Sequence, residues 1–168
     1  VGNEGSSVTA DQQRFRDQRL TAWHFAAGEV LVRCPRCAEC ARVVVVPGVG
    51  AELREARRLV CGRCGYLRDQ TGGTRYGPVP TGPVRDPYLR EPLWLQGDCG
   101  GNVLWAYNEA HLDYLEAFVG ARLREKVVVG EGEWRRRMTM VAKLPAWLKS
   151  AKNRESVLRG IQRMRATL

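Results

Sequence analysis

The chain has 168 residues, 44% of them hydrophobic, enough to build the core of one ordinary domain or two small ones. No run of about 18 apolar residues occurs, which argues against a membrane-spanning helix, and residues 1–10 lack the charged, apolar and cleavage regions of a signal peptide. A cytoplasmic protein with reduced thiols is expected, and the formal net charge of +9 directs attention to polyanionic partners. Val1 as first residue and the excess of Arg over Lys suit a GC-rich bacterial gene with a GTG start.

In chain order, Thr9-Ala10-Asp11-Gln12 matches a capping box and predicts an N-terminal helix that runs to the terminator Gly28. Phe15, Ala22, Trp23 and Ala26 share one side of that helix, with Arg19 interrupting the stripe. His24, one of only two histidines, reads as an ordinary partly buried side chain rather than a ligand.

Residues 30–70 carry two Cys-x-x-Cys pairs, Cys34/Cys37 and Cys61/Cys64. Each pair can form one tight knuckle, and two knuckles complete a tetrahedral shell of four thiolates, so Zn2+ is the expected cofactor. Strands are predicted entering Cys34, over 42–46 and over 57–60, a three-stranded ribbon with a turn at Pro47-Gly48. The run Val43, Val44, Val45 and Val46 is β-branched throughout, which suits a pleated ladder and disfavours helix. Gly62 and Gly65 give the second knuckle the backbone freedom it needs, whereas Ala38 stands where the first would ordinarily have glycine. Cys40 makes Cys37-x-x-Cys40 a second legal pair. An iron–sulfur reading would need its fourth cysteine about three residues later, followed by Pro, and the next cysteine is Cys61. Cys40 is then a spare thiol, either able to replace Cys37 as a ligand or, in the favoured reading, a small buried or edge residue.

Residues 71–91 are dense in Gly and Pro and predict an irregular linker; Gly72-Gly73 is not followed by the Gly-Lys-Ser/Thr of a phosphate loop. Leu93-Trp94-Leu95 and the segment 103–107 flank a turn and predict a hairpin, with Cys99 at its tip resembling half a knuckle. One thiolate cannot hold zinc by itself, and no motif joins Cys99 to His111 as nucleophile and base. Asn108 caps a helix with Leu112, Leu115, Val119 and Leu123 on one face and Phe118 beside them. Trp94, Trp105 and Tyr107 read as core of this hairpin-plus-helix unit.

Beyond Gly130-Gly132, Trp134, Met138 and Val141 suggest a helix, Pro145 opens another, and Asn153 caps a third bearing Val157, Leu158, Ile161, Met164 and Leu168 on one side. Lys152, Arg159 and Arg163 project opposite that stripe, and Arg154 and Arg165 flank it. Residues 133–168 hold ten basic residues against Glu133 and Glu155, so the tail carries +8. The candidate phosphate contacts are Arg135, Arg136, Arg137, Lys149, Lys152, Arg159 and Arg163.

Residues 32–69, with their two knuckles, resemble the zinc ribbon of transcription factor IIB type. Residues 87–166 resemble a group of small bacterial zinc-ribbon proteins through Asp86-Pro87-Tyr88, Leu93-Trp94-Leu95-Gln96, Leu104-Trp105-Ala106-Tyr107-Asn108, His111-Leu112 and the run from Leu144 through Trp147-Leu148-Lys149 to Arg154. The resemblance implies an architecture and a zinc site, and no particular activity. The expected fold is α+β: an N-terminal helix (1–29), a zinc ribbon (30–70), a linker (71–91), a hairpin with an amphipathic helix (92–130) and a basic helical tail (131–168). The expected function is non-catalytic and nucleic-acid-associated, with zinc as a structural clip; the alternative is an adaptor whose basic tail meets an acidic protein. Four thiolates would close the metal shell, and no Ser-His-Asp, nucleotide-loop or His-Glu-x-x-His pattern is present, so an enzyme is not expected.

Overall fold

The computed structural model describes residues 14–47, 56–70, 82–125 and 139–168. Where the sequence predicts one helix up to Gly28, the chain forms strand β1 (Arg14–Arg16) and the short helix α1 (Ala22–Ala27). The break lies at Arg19, whose φ of 58° is left-handed and cannot continue a right-handed helix. Thr9 and its capping box lie outside the described residues. Two local bonds take their place: the Arg19 amide donates to Asp17, and the Thr21 amide donates to His24 Nδ1 at 2.9 Å. In the strand, Phe15 packs edge-on against Tyr114 and Phe118 with ring centroids 5.3 Å away in each case.

The valine-rich middle folds as expected but with one strand more. β2 (Val30–Arg33), β3 (Cys40–Val45), β4 (Arg57–Val60) and β5 (Leu67–Gln70) form an antiparallel sheet in chain order. The three-stranded expectation missed β5 because Leu-Arg-Asp-Gln has neither β-branched residues nor apolar alternation. Its place comes from pairing: Val60 faces Leu67, and Arg58 faces Asp69 in a two-pronged ion pair of 2.6 and 2.8 Å.

Val30, Val32, Val43 and Leu59 are fully buried inside the ribbon, together with Tyr88 and Leu93 from beyond it. Tyr88 belongs to the segment expected as a free connection, and its neighbour Asp86 explains why residues 86–91 are ordered. The buried Asp86 carboxylate accepts the amides of Tyr88, Leu89 and Glu91 at 2.6–2.8 Å, closing a tight turn. Tyr88 then donates to Ala26 O and accepts from Arg57, which caps α1 by donating to the carbonyls of Ala27 and Gly28. The Arg57 guanidinium also lies 4.0 Å from the Tyr88 ring centroid.

β2 is the seam of the molecule. Val30 and Val32 face the ribbon core, while Leu31 joins the second core. Its outer edge is closed by Leu31 N to Tyr107 O, Trp94 N to Leu31 O and Arg33 N to Pro92 O, at 2.7–3.0 Å. The second core is built on the hairpin β6 (Gln96–Asp98) and β7 (Val103–Trp105), whose turn uses Gly100 and Gly101 at φ 64° and 79°. Asn108 caps α2 (Glu109–Gly120) by accepting the His111 amide, and its Nδ2 donates to Phe25 O and Glu29 O, tying the helix start to α1. Leu112, Leu115, Phe118 and Val119 are buried as expected. Leu123 is not: the helix ends at Gly120, and Leu123 opens β8 (Leu123–Glu125), which pairs in parallel with β1 and leaves Leu123 exposed.

The tail forms α3 (Met140–Lys143), α4 (Ala146–Lys149), a 3-10 turn (Ala151–Asn153) and α5 (Arg154–Arg165). Trp134 and Met138 fall outside the described residues. Asn153 precedes α5 but does not cap it; its side chain donates to Trp147 O instead. Val157, Ile161 and Met164 bury the apolar face of α5, and Leu168 remains exposed beyond the helix end. Gly160 lets α5 approach the hairpin closely, since a Cβ there would stand 3.0 Å from Leu104 Cδ2. Arg165 joins α5 to α2 through Asp113 and Glu116, both at 2.7 Å, and Glu109 at 3.5 Å.

Candidate metal centre

The two knuckles are the turns that join β2 to β3 and β4 to β5, and they are built alike. In the first, Cys34 N donates to Glu39 O and Ala38 N to Cys34 O; in the second, Cys61 N donates to Tyr66 O and Gly65 N to Cys61 O. Ala38 adopts φ 62° and Gly65 φ 70°, so the alanine takes the left-handed conformation its glycine counterpart takes freely. Strain at Ala38 of about 1 kcal/mol is outweighed by closing the turn around Cys34.

The Sγ atoms of Cys34, Cys37, Cys61 and Cys64 all lie within 4.8 Å of one another. The close approaches run between knuckles, 3.8 Å for Cys34 to Cys64 and 3.6 Å for Cys37 to Cys61. A tetrahedron with zinc–sulfur bonds of about 2.3 Å has edges of about 3.8 Å, whereas a disulfide would bring two sulfurs to about 2.0 Å. All six cysteines are free thiols. Four soft donors at tetrahedral spacing fit a divalent zinc, and this cluster could hold the ion with no ligand from elsewhere.

Electrostatics points the same way. The Cys64 amide, aided by that of Arg63 and working against burial, draws the Cys61 thiol down to about 7. At Cys37 the Glu39 amide also lowers the thiol, but burial and the sulfurs of Cys64, Cys61 and Cys34 together push it up to about 12. Four thiolates cannot crowd together unaided, and a cation among them removes the conflict while releasing protons.

Cys40 lies on β3 opposite Arg33, outside this group, and burial raises its thiol. Cys99 is buried at the hairpin turn with its sulfur 3.7 Å from Ser156 Oγ. His111 is wholly buried, stacked on Phe25 at 4.7 Å, and its Nδ1 accepts the Tyr107 amide. His24 serves the turn at Thr21.

The candidate phosphate contacts are divided by the fold. Arg135, Arg136 and Arg137 lie outside the described residues. Lys149 is half-buried, with Nζ donating to Ala142 O at 3.0 Å. Arg159 and Arg163 are exposed on the polar side of α5, as their spacing predicts, and Lys152 is exposed on the 3-10 turn that precedes it; Arg159 stands 3.7 Å from Glu155 and Arg163 reaches Asp98 O at 3.4 Å. Three arginines passed over in the sequence sit at the knuckles, Arg36 and Arg63 within the turns and Arg33 at the end of β2 beside the first, and all three are exposed. Their signal was available, since Arg36 and Arg63 occupy the same position of the two Cys-x-x-Cys pairs. Among the described residues, no helix is long and apolar enough to cross a membrane. No family model, curated protein or solved structure matches the chain, so the likeness to a zinc ribbon rests on its cysteine motif and the geometry of the cluster.

Proposed function

We propose that the protein is a zinc-clipped, non-catalytic nucleic-acid-associated protein of the bacterial cytoplasm. The observation that carries the metal half is the S···S spacing of 3.6 and 3.8 Å between two matched knuckles. Zinc holds the ribbon closed and does no chemistry, because four thiolates leave no open position for substrate or water. The nucleic-acid half is supported by the net charge of +9 and by the exposure of Arg159 and Arg163 on α5 and of Lys152 on the turn before it. Such a surface binds phosphate backbones without reading bases.

A protein-adaptor role is the second reading, favoured by one feature. Val60 and Leu67 face each other across β4 and β5 beside the second knuckle, and both are exposed. The test combines metal analysis with binding titrations of unspecific duplex DNA, single-stranded DNA and RNA over a range of salt. One zinc per chain and salt-sensitive binding are expected. Zinc without nucleic-acid binding at low salt, together with a stoichiometric protein partner lost on Leu67→Ser, transfers the function to the adaptor reading.

A further inference from the structure

We infer that the principal phosphate contact of this protein is the tip of the ribbon, through Arg33, Arg36 and Arg63, rather than the basic C-terminal tail; this rests on the nucleic-acid reading above. The fold spends much of the described tail's charge internally. Arg165 is neutralised by Asp113, Glu116 and Glu109, Arg154 donates to Ala121 O, Lys149 donates to Ala142 O, and Arg159 lies near Glu155. At the ribbon tip the balance is reversed. Arg33, Arg36 and Arg63 are exposed, and none makes a side-chain hydrogen bond or ion pair among the described residues.

The backbone that carries these arginines is held in place. Arg36 and Arg63 sit inside the two knuckles, whose backbones are closed by paired amide bonds of 2.8–3.0 Å, and Arg33 ends β2 immediately before Cys34. A guanidinium on an ordered turn loses less freedom on meeting a phosphate than one on a mobile stem, and its planar fork contacts two phosphate oxygens at once. Much of the rest of the tip is small: Pro35, Ala38, Gly62 and Gly65 let a bulky polyanion approach, Tyr66 at the end of the second turn is half-buried, and Glu39 is the one carboxylate on the two turns. An acidic protein would want an apolar anchor at the centre of its footprint. The exposed apolar pair Val60 and Leu67 lies to one side, on the strands.

The test compares two triple variants in the full chain, Arg33→Gln/Arg36→Gln/Arg63→Gln and Lys152→Gln/Arg159→Gln/Arg163→Gln. Labelled 20-base-pair duplex DNA and 20-nucleotide single-stranded RNA serve as probes, and zinc per chain is measured on every sample. Each lost phosphate contact lowers the slope of log Kd against log salt by about 0.9 on duplex, so the tip variant loses about 2 to 3 and the tail variant less than about 1. A tail variant that matches or exceeds the tip variant's loss overturns the inference and leaves the functional reading standing. Loss of zinc from the tip variant also overturns it, by showing that the arginines serve as counter-charge to the thiolates. Wild-type protein that ignores both probes at low salt removes the functional reading itself, and the inference with it.

Discussion

His111 makes this protein acid-sensitive in a way that can be separated from its cysteines. The imidazole is fully buried among Phe25, Trp105 and Tyr107, its Nδ1 accepts the Tyr107 amide, and its Nε2 has no hydrogen-bond partner among the described residues. Burial holds it neutral, with its pKa down from 6.5 to about 3. The unfolded chain therefore binds a proton between these values that the folded chain refuses. Stability from this group is complete above pH 6.5 and is lost as pH falls from there toward about 3. At pH 5 the gap is one and a half units at about 1.4 kcal/mol each, or about 2 kcal/mol. The comparison is urea denaturation of wild type and His111→Asn at pH 7.5 and pH 5. Asparagine can still accept the Tyr107 amide but does not titrate. The variant starts less stable, since it loses the stacking, yet should lose about 2 kcal/mol less than wild type on acidification. Acid effects on the cysteine cluster are common to both proteins and cancel. Parallel losses in the two would refute the reasoning.

Cys61→Ser or Cys64→Ser should abolish zinc binding and unfold the ribbon, while Cys40→Ser and Cys99→Ser keep one zinc per chain; metal analysis with thiol titration checks this, and retention of zinc by Cys61→Ser would sink the proposed ligand set. Ala38→Gly relieves the left-handed strain at φ 62° and should stabilise by about 1 kcal/mol, read as a shift in denaturation midpoint. Gly160→Ala pushes a methyl to 3.0 Å from Leu104 Cδ2 and should destabilise by about 1–3 kcal/mol, whereas the better intrinsic helix propensity of alanine alone would stabilise by about 1 kcal/mol, so the sign of the change decides whether α5 packs as described.

The cysteine spacing, the valine run and the apolar periodicities of α2 and α5 are local patterns, and each was legible from the sequence. Two Cys-x-x-Cys pairs name a tetrahedral site because the chemistry demands four soft donors from two tight turns. Other features could not be read that way, because they depend on groups far apart in the chain. Arg19 turns left-handed in a segment whose capping and periodicity read as helix, and the strand before it sets Phe15 edge-on against Tyr114 and Phe118, residues about a hundred positions away. β5 exists because β4 offers it a partner, and Leu123 is exposed because β1 draws it into a strand. Arg57, Asp86 and Tyr88 look like loop and surface residues until α1 and the ribbon close around them. Charge followed the same division. Its amount was set by composition, but which cations stay free was decided by tertiary pairing, since a guanidinium that meets a carboxylate or a helix end inside the fold is no longer available to a partner outside it.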